Sequence, residues 1–235
     1  MTETFLPDMF PLTRLRWRPV GVAVTGGQPI SGPPDTAETS GGGWWRCDMT
    51  IKRLSTPREI RQWRAFLGRL GNGTTPIIMP VVDICQPWPN GYTGALPGVP
   101  HSDGAPFSDG SLYQTRSIAY ELVDDVPLRA QQLRLRRKTG GILMGGEYLT
   151  ISGPLYGPRL CCISQVVAVA GDVFTVDVSG FPLPREDYAA GTDADLETPR
   201  CMMKADVESL ADAWMEIERP FRGQPRISFV EYGYV

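Results

Sequence analysis

The chain has 235 residues, enough for one large or two small domains with real cores. Its 42% apolar and 21% charged residues argue against wholesale disorder, and a net charge of -3 argues against a general nucleic-acid binder. Gly (26) and Pro (22) are abundant, which points to many turns and favours a mainly β architecture over a helical one.

From the N-terminus, residues 12–18 set Leu12, Leu15 and Trp17 against Arg14, Arg16 and Arg18 in an imperfect alternation that predicts a strand. Residues 20–24 read as a second strand, 28–43 as a turn-rich loop, and 44–51 as a strand carrying Trp44, Trp45, Thr50 and Ile51. A helix is predicted over 56–70. Thr56 suits the N-cap, Pro57 the first helical position, and Glu59 completes a capping box. Ile60, Trp63, Phe66, Leu67 and Leu70 share one face of that helix and are expected to pack on a sheet. Residues 75–85 are apolar, but Pro76 and Pro80 predict an edge strand or an extended segment there.

Residues 86–111 are rich in Pro and Gly and show no helical or strand period. A loop of that length in a folded domain is usually functional or disordered. Its aromatic residues argue against disorder, so Trp88, Tyr92, His101, Asp103, Phe107 and Asp109 are candidate contacts to a neighbouring subunit. Strands resume at 117–123, 131–135, 146–152, 160–169 and 173–178, with a hairpin turn at Ala170, Gly171 and Asp172, as in a small antiparallel sheet or barrel. An extended segment at 199–206 and closing strands at 213–219 and 226–234 complete the chain.

The expected fold is therefore mainly β: a β-sandwich domain with one α-helix plus a second small antiparallel β-barrel or sheet module. The expected division is 1–86 for the sandwich, 87–116 for the long loop and 117–204 for the second module, a candidate insertion. Residues 205–235 are expected to return to the first domain.

Chemistry-bearing patterns are sparse. Zinc sites usually need several His or Cys ligands, whereas His101 is the single histidine and none of the five cysteines forms a CxxC pair. Cys161 and Cys162 would face opposite ways in a strand, and free buried thiols suit a reducing compartment. Ser102-Asp103-Gly104 and Ser108-Asp109-Gly110 read as consecutive turns, with a Ca²⁺ site on Asp103 and Asp109 as the minor alternative. The neighbours Asp124 and Asp125, and Glu186 and Asp187, should diverge rather than act as acid and base. The basic run 129–138 reads as a solvated face, with contact to DNA in a pore as the lesser reading. Neither an N-terminal apolar signal region nor a membrane-length apolar run is present, so synthesis in a cytosol and no membrane partner are expected. No cofactor, catalytic set or sequence-specific nucleic-acid binding is expected.

Taken in order, the helix residues 63–70 (WRAFLGRL), then 140–151 (GGILMGGEYLTI), 160–169, 171–178 (GDVFTVDV) and 200–204 resemble minor tail proteins of siphophages. The loop 101–111 (HSDGAPFSDGS) is similar to tail-tip proteins of phages of α-proteobacteria. The sequence departs from the family pattern at Gly145-Gly146-Glu147. By size, the resemblance implies a distal tail protein: a β-sandwich belt domain with one helix, closing as a ring at the end of the tail tube. The partners it implies are copies of the chain itself in a hexameric or trimeric ring, the tail tube protein, and hub or fibre proteins. The expected location is the virion, assembled in the host bacterial cytoplasm. Competing readings are another tail part (hub, terminator or fibre-anchoring adaptor) or a tail carbohydrate-binding module in which Trp44, Trp45, Trp88 and Tyr92 stack on sugars.

Overall fold

Alternating apolar and polar residues put most of the chain into strands. The computed structural model describes residues 3–4, 12–27, 36–39, 41–89, 98–99, 108, 113–114, 116–218 and 224–233. It is 44% strand and 13% helix, so the fold is mainly β, as composition predicts. In chain order the elements are β1 (Glu3–Thr4), β2 (Leu12–Val20), β3 (Ala23–Thr25), β4 (Thr36–Glu38), β5 (Trp44–Ile51), α1 (Pro57–Arg69), β6 (Ile77–Pro80), β7 (Gly98–Val99), β8 (Tyr113–Gln114) and β9 (Ala119–Leu122). They continue with β10 (Gln132–Thr139), β11 (Tyr148–Gly153), β12 (Gly157–Cys162), β13 (Gln165–Ala170), β14 (Val173–Asp177), β15 (Asp193–Asp195), β16 (Arg200–Ala205), α2 (Val207–Glu218) and β17 (Arg226–Glu231).

Two curled sheets form half-barrels. The first has six strands in the order β1-β6-β16-β17-β5-β2, and the second has seven in the order β12-β11-β15-β9-β10-β14-β13. Early and late strands thus share one sheet: Cys47 of β5 lies opposite Phe229 of β17, and Met49 opposite Ile227. The second sheet is built wholly from chain between β6 and β16, which themselves pair, Ile77 opposite Met203.

The first core forms because β5 alternates strictly, burying Trp45, Cys47, Met49 and Ile51. These pack with Trp63, Phe66, Leu67 and Leu70 beside α1, and with Met79, Met203 and Phe229 of the neighbouring strands. The second core gathers Tyr120, Leu135, Leu149, Ile151, Phe174 and Val176. β12 serves both: Leu160 and Cys162 belong to the first core and Cys161 to the second, so the adjacent cysteines do face opposite ways.

Several sequence expectations need correction. The closing strand expected at 213–219 is helix over its described residues: the chain is helical over Val207–Glu218, and Leu210 and Ala213, three residues apart, are buried in the first core. β6 is not an edge strand. It lies between β1 and β16; Pro76 precedes it, and Pro80 is tolerated because β1 reaches only Ile77 and Ile78, leaving Pro80 beyond it. The run 20–24 breaks at Gly21, where φ is +69° and a Cβ would sit 2.5 Å from the Trp44 ring.

The run 160–169 is two strands, not one. β12 and β13 are the two opposite edges of the seven-stranded sheet, yet only Ile163 and Ser164 separate them. Ile163 N–H donates to the Glu147 carbonyl on one side (2.9 Å) and Ser164 N–H to the Asp177 carbonyl on the other (2.8 Å). The sheet therefore curls until the two edge strands meet end to end at this corner, a half-barrel whose edges stay unpaired with each other.

Candidate functional site

The helix stripe is core. α1 starts at the expected capping box, with Glu59 N–H donating to Thr56 Oγ1 (3.2 Å) and Thr56 N–H donating to Glu59 Oε2 (3.0 Å). Trp63, Phe66, Leu67 and Leu70 are buried, and Ile60 is half-buried against the same cluster.

Of the long-loop candidates, Trp88 is half-buried and packs on the second core. The backbone beside it is held to the β10–β11 connection: Gly141 N–H donates to the Pro87 carbonyl at 2.7 Å. A Cβ on Gly141 would lie 2.6 Å from the Trp88 carbonyl oxygen, so only glycine allows this approach. Tyr92, His101, Asp103, Phe107 and Asp109 lie outside the described residues. Trp45 is fully buried and so cannot stack on a sugar, whereas Trp44 is half-buried.

The two sheets are joined by a polar cluster that the sequence does not advertise. Arg159 of β12 pairs with Glu231 of β17, their side chains 4% and 2% exposed. The guanidinium also donates through Nε (3.2 Å) and Nη2 (2.9 Å) to the Leu183 carbonyl. Glu231 Oε2 accepts from the Trp45 backbone N–H (3.0 Å), while Trp45 Nε1 donates to the Leu160 carbonyl (2.7 Å). Tyr148 and Phe181 pack against the Trp45 ring, Phe181 stacked at 6.0 Å between centroids.

The basic run resolves into ion pairs across strands. Arg134 meets Asp124 (2.7 Å), Arg136 (3.4 Å) and Lys138 (2.5 Å) both meet Glu121, and Arg137 meets Asp172 (2.6 Å). Four of the five cations of the run are thus matched by nearby carboxylates. The acidic neighbours diverge as expected. Asp124 faces Arg134, while Asp125 accepts from Ala190 N–H (2.8 Å); Glu186 accepts from Leu155 N–H (3.1 Å) and Tyr156 N–H (3.2 Å), while Asp187 accepts from Leu128 N–H (2.6 Å). Among the described residues, no group of three or more His, Cys, Asp or Glu is arranged to hold a metal ion. No helix among them is long and apolar enough to cross a membrane.

One open apolar element is β13. It has a partner on one side only, β14, and its residues carry no charge and no proline. Val167 is 50% and Val169 56% exposed, with an irregularity in the ladder between Val166 and Ala168. Beside its start, the Gly145–Gly146 turn is tied down by Gly146 N–H donating to the Ile163 carbonyl (2.6 Å), and Met144 next to it is 85% exposed. An uncharged edge strand is a template for pairing with another chain. The opposite kind of edge, β2, carries exposed Arg14, Arg16 and Arg18. Sequence reading missed β13 because it fused the strand with β12; the signal was the loss of alternation in Gln165–Ala170.

The fold and these surfaces define a β-rich protein built on two large sheets, with β13 an uncharged edge of the seven-stranded one. Neither the protein-family models nor the curated proteins compared with it match the chain.

Proposed function

We propose that the chain is a non-enzymatic structural subunit of the tail tip of a long-tailed bacteriophage. In this reading it is a distal tail protein whose copies close into a ring between the tail tube and the hub. The siphophage resemblance in the helix and the second module supports it, and so does the mainly β, two-sheet architecture. The observation that carries it is the uncharged, half-exposed edge strand β13, a ready acceptor for a second copy. In a ring each copy uses two different surfaces, so β13 of one copy meets another face of the next. A stable contact of this kind buries more than about 1,000 Å².

The test is the solution mass by light scattering over a concentration series, followed by electron microscopy of the purified protein with tail tubes. Trimers or hexamers, seen as rings at tube ends, are expected. A chain that stays monomeric alone and does not bind tubes overturns the reading.

A further inference from the structure

We propose that the outer face of the six-stranded sheet binds a small, multiply charged oxyanion in a cleft of about 430 Å³ formed by β2, β5 and β17. The cleft is lined by Arg14, Arg16, Thr50, Arg226, Ser228 and Asp48, among others. Strand register sets the arrangement. Arg14 stands opposite Thr50 and Thr50 opposite Arg226; in the next row Arg16 stands opposite Asp48 and Asp48 opposite Ser228. Neighbouring strands lie about 4.8 Å apart and same-face residues on one strand about 6.8 Å apart. Three arginines thus occupy three corners of a small rectangle, close enough for flexible side chains to converge on one ion.

Among the described residues, no carboxylate pairs with these three arginines. Asp48, the carboxylate inside the cleft, is already engaged: Oδ2 by Arg18 (3.1 Å), Oδ1 by Arg46 (3.2 Å) and by the Ser228 hydroxyl (2.7 Å). Asp206 is engaged by Arg46 (2.9 Å). Arg14, Arg16 and Arg226 are exposed, and among the described residues none of them forms an ion pair. Three like charges held this close repel, and a bound anion relieves the repulsion. Guanidinium forks match phosphate and carboxylate groups, each able to take two parallel hydrogen bonds. The volume is that of a small-molecule site, roughly 300–1,000 Å³. Asp48 within the cleft and Asp206 outside it interrupt the positive face, which favours a compact ion held by the arginines over a long polyanion. This inference is independent of ring assembly.

The experiment is calorimetric titration of the whole chain with pyrophosphate and, separately, citrate, at constant ionic strength against chloride. Saturable binding of either ion is expected, with Arg14→Ala, Arg16→Ala and Arg226→Ala each weakening it about tenfold. Arg226→Lys should lose less than Arg226→Ala. Circular dichroism and melting show that each variant is folded. A pyrophosphate preference assigns a phosphorylated ligand, and a citrate preference a polycarboxylate. No saturable binding of either, or alanine variants that bind like the parent, overturns the proposal. So does tighter binding of a single-stranded DNA oligomer than of pyrophosphate at equal phosphate concentration.

Discussion

Arg159 and Glu231 form a buried guanidinium–carboxylate pair where the second sheet meets the first. Both charges are removed from water, so each depends on the other and on the Leu183 carbonyl and Trp45 N–H around them. Arg159→Met should destabilise the protein by about 3–5 kcal/mol, because it strands a buried carboxylate. Pairing it with Glu231→Leu should recover much of that loss, since an apolar pair of similar size can replace a buried ion pair. Urea denaturation of the single and double variants reads this; a single-variant cost below about 1 kcal/mol would show the pair to be dispensable.

Trp63 is fully buried and tilted against Phe66 at 5.5 Å between ring centroids. Trp63→Ala should cost about 3–5 kcal/mol, the usual loss on truncating a large core aromatic. The readout is again the denaturation midpoint, with an unchanged slope expected. A loss below about 1 kcal/mol would mean that the helix face is not core.

The cysteines give a chemical test of burial. Cys85 is exposed, whereas Cys47, Cys161, Cys162 and Cys201 are buried. Burial pushes the Cys161 thiol up to about 11 and those of Cys162 and Cys201 up to about 12, from an ordinary 9.0. Since the thiolate is the reactive form, Ellman's reagent at pH 8 should label Cys85 quickly and the other four only after unfolding. The linkage has a definite sign. The folded pKa lies above the unfolded one, so this contribution is intact below pH 9.0 and is lost as pH climbs toward 11–12. Denaturation midpoints should therefore fall across that alkaline window.

The edge strand offers the most direct test of assembly. Lysine at Val167 and Val169 should abolish self-association while leaving the monomer folded, because charged edges resist strand addition. Both side chains are already half or more exposed, so monomer stability should change by only about 0.5 kcal/mol. Light scattering beside a melting curve distinguishes the two effects. Oligomers that persist unchanged in the double variant would place the contact elsewhere.

How legible these features were depends on how local they are. The α1 cap was readable because Thr56, Pro57 and Glu59 act within one turn. Strands β5 and β14 are readable because burial on one face leaves an alternating trace. Helix α2 is hard to read because only Leu210 and Ala213 mark its buried face, and Leu210 lies upstream of the expected strand 213–219. The corner at Ile163 and Ser164 left no proline or glycine to mark it, since both residues keep paired backbone on either side. The junction was invisible for a different reason. Arg159 and Glu231 are 72 positions apart, and nothing near either one shows that its charge will be buried.

The nested chain path has a thermodynamic consequence. β6 and β16 are neighbours, so the second sheet enters and leaves the first at one place and resembles a removable cassette. Yet β12 lends Leu160 and Cys162 to the first core, and Trp45 caps its own indole on the Leu160 carbonyl. Neither half can melt without exposing the other's interior. The protein should therefore absorb heat in one cooperative event, and a cut between the halves would leave two fragments that hold their shape only while bound to each other.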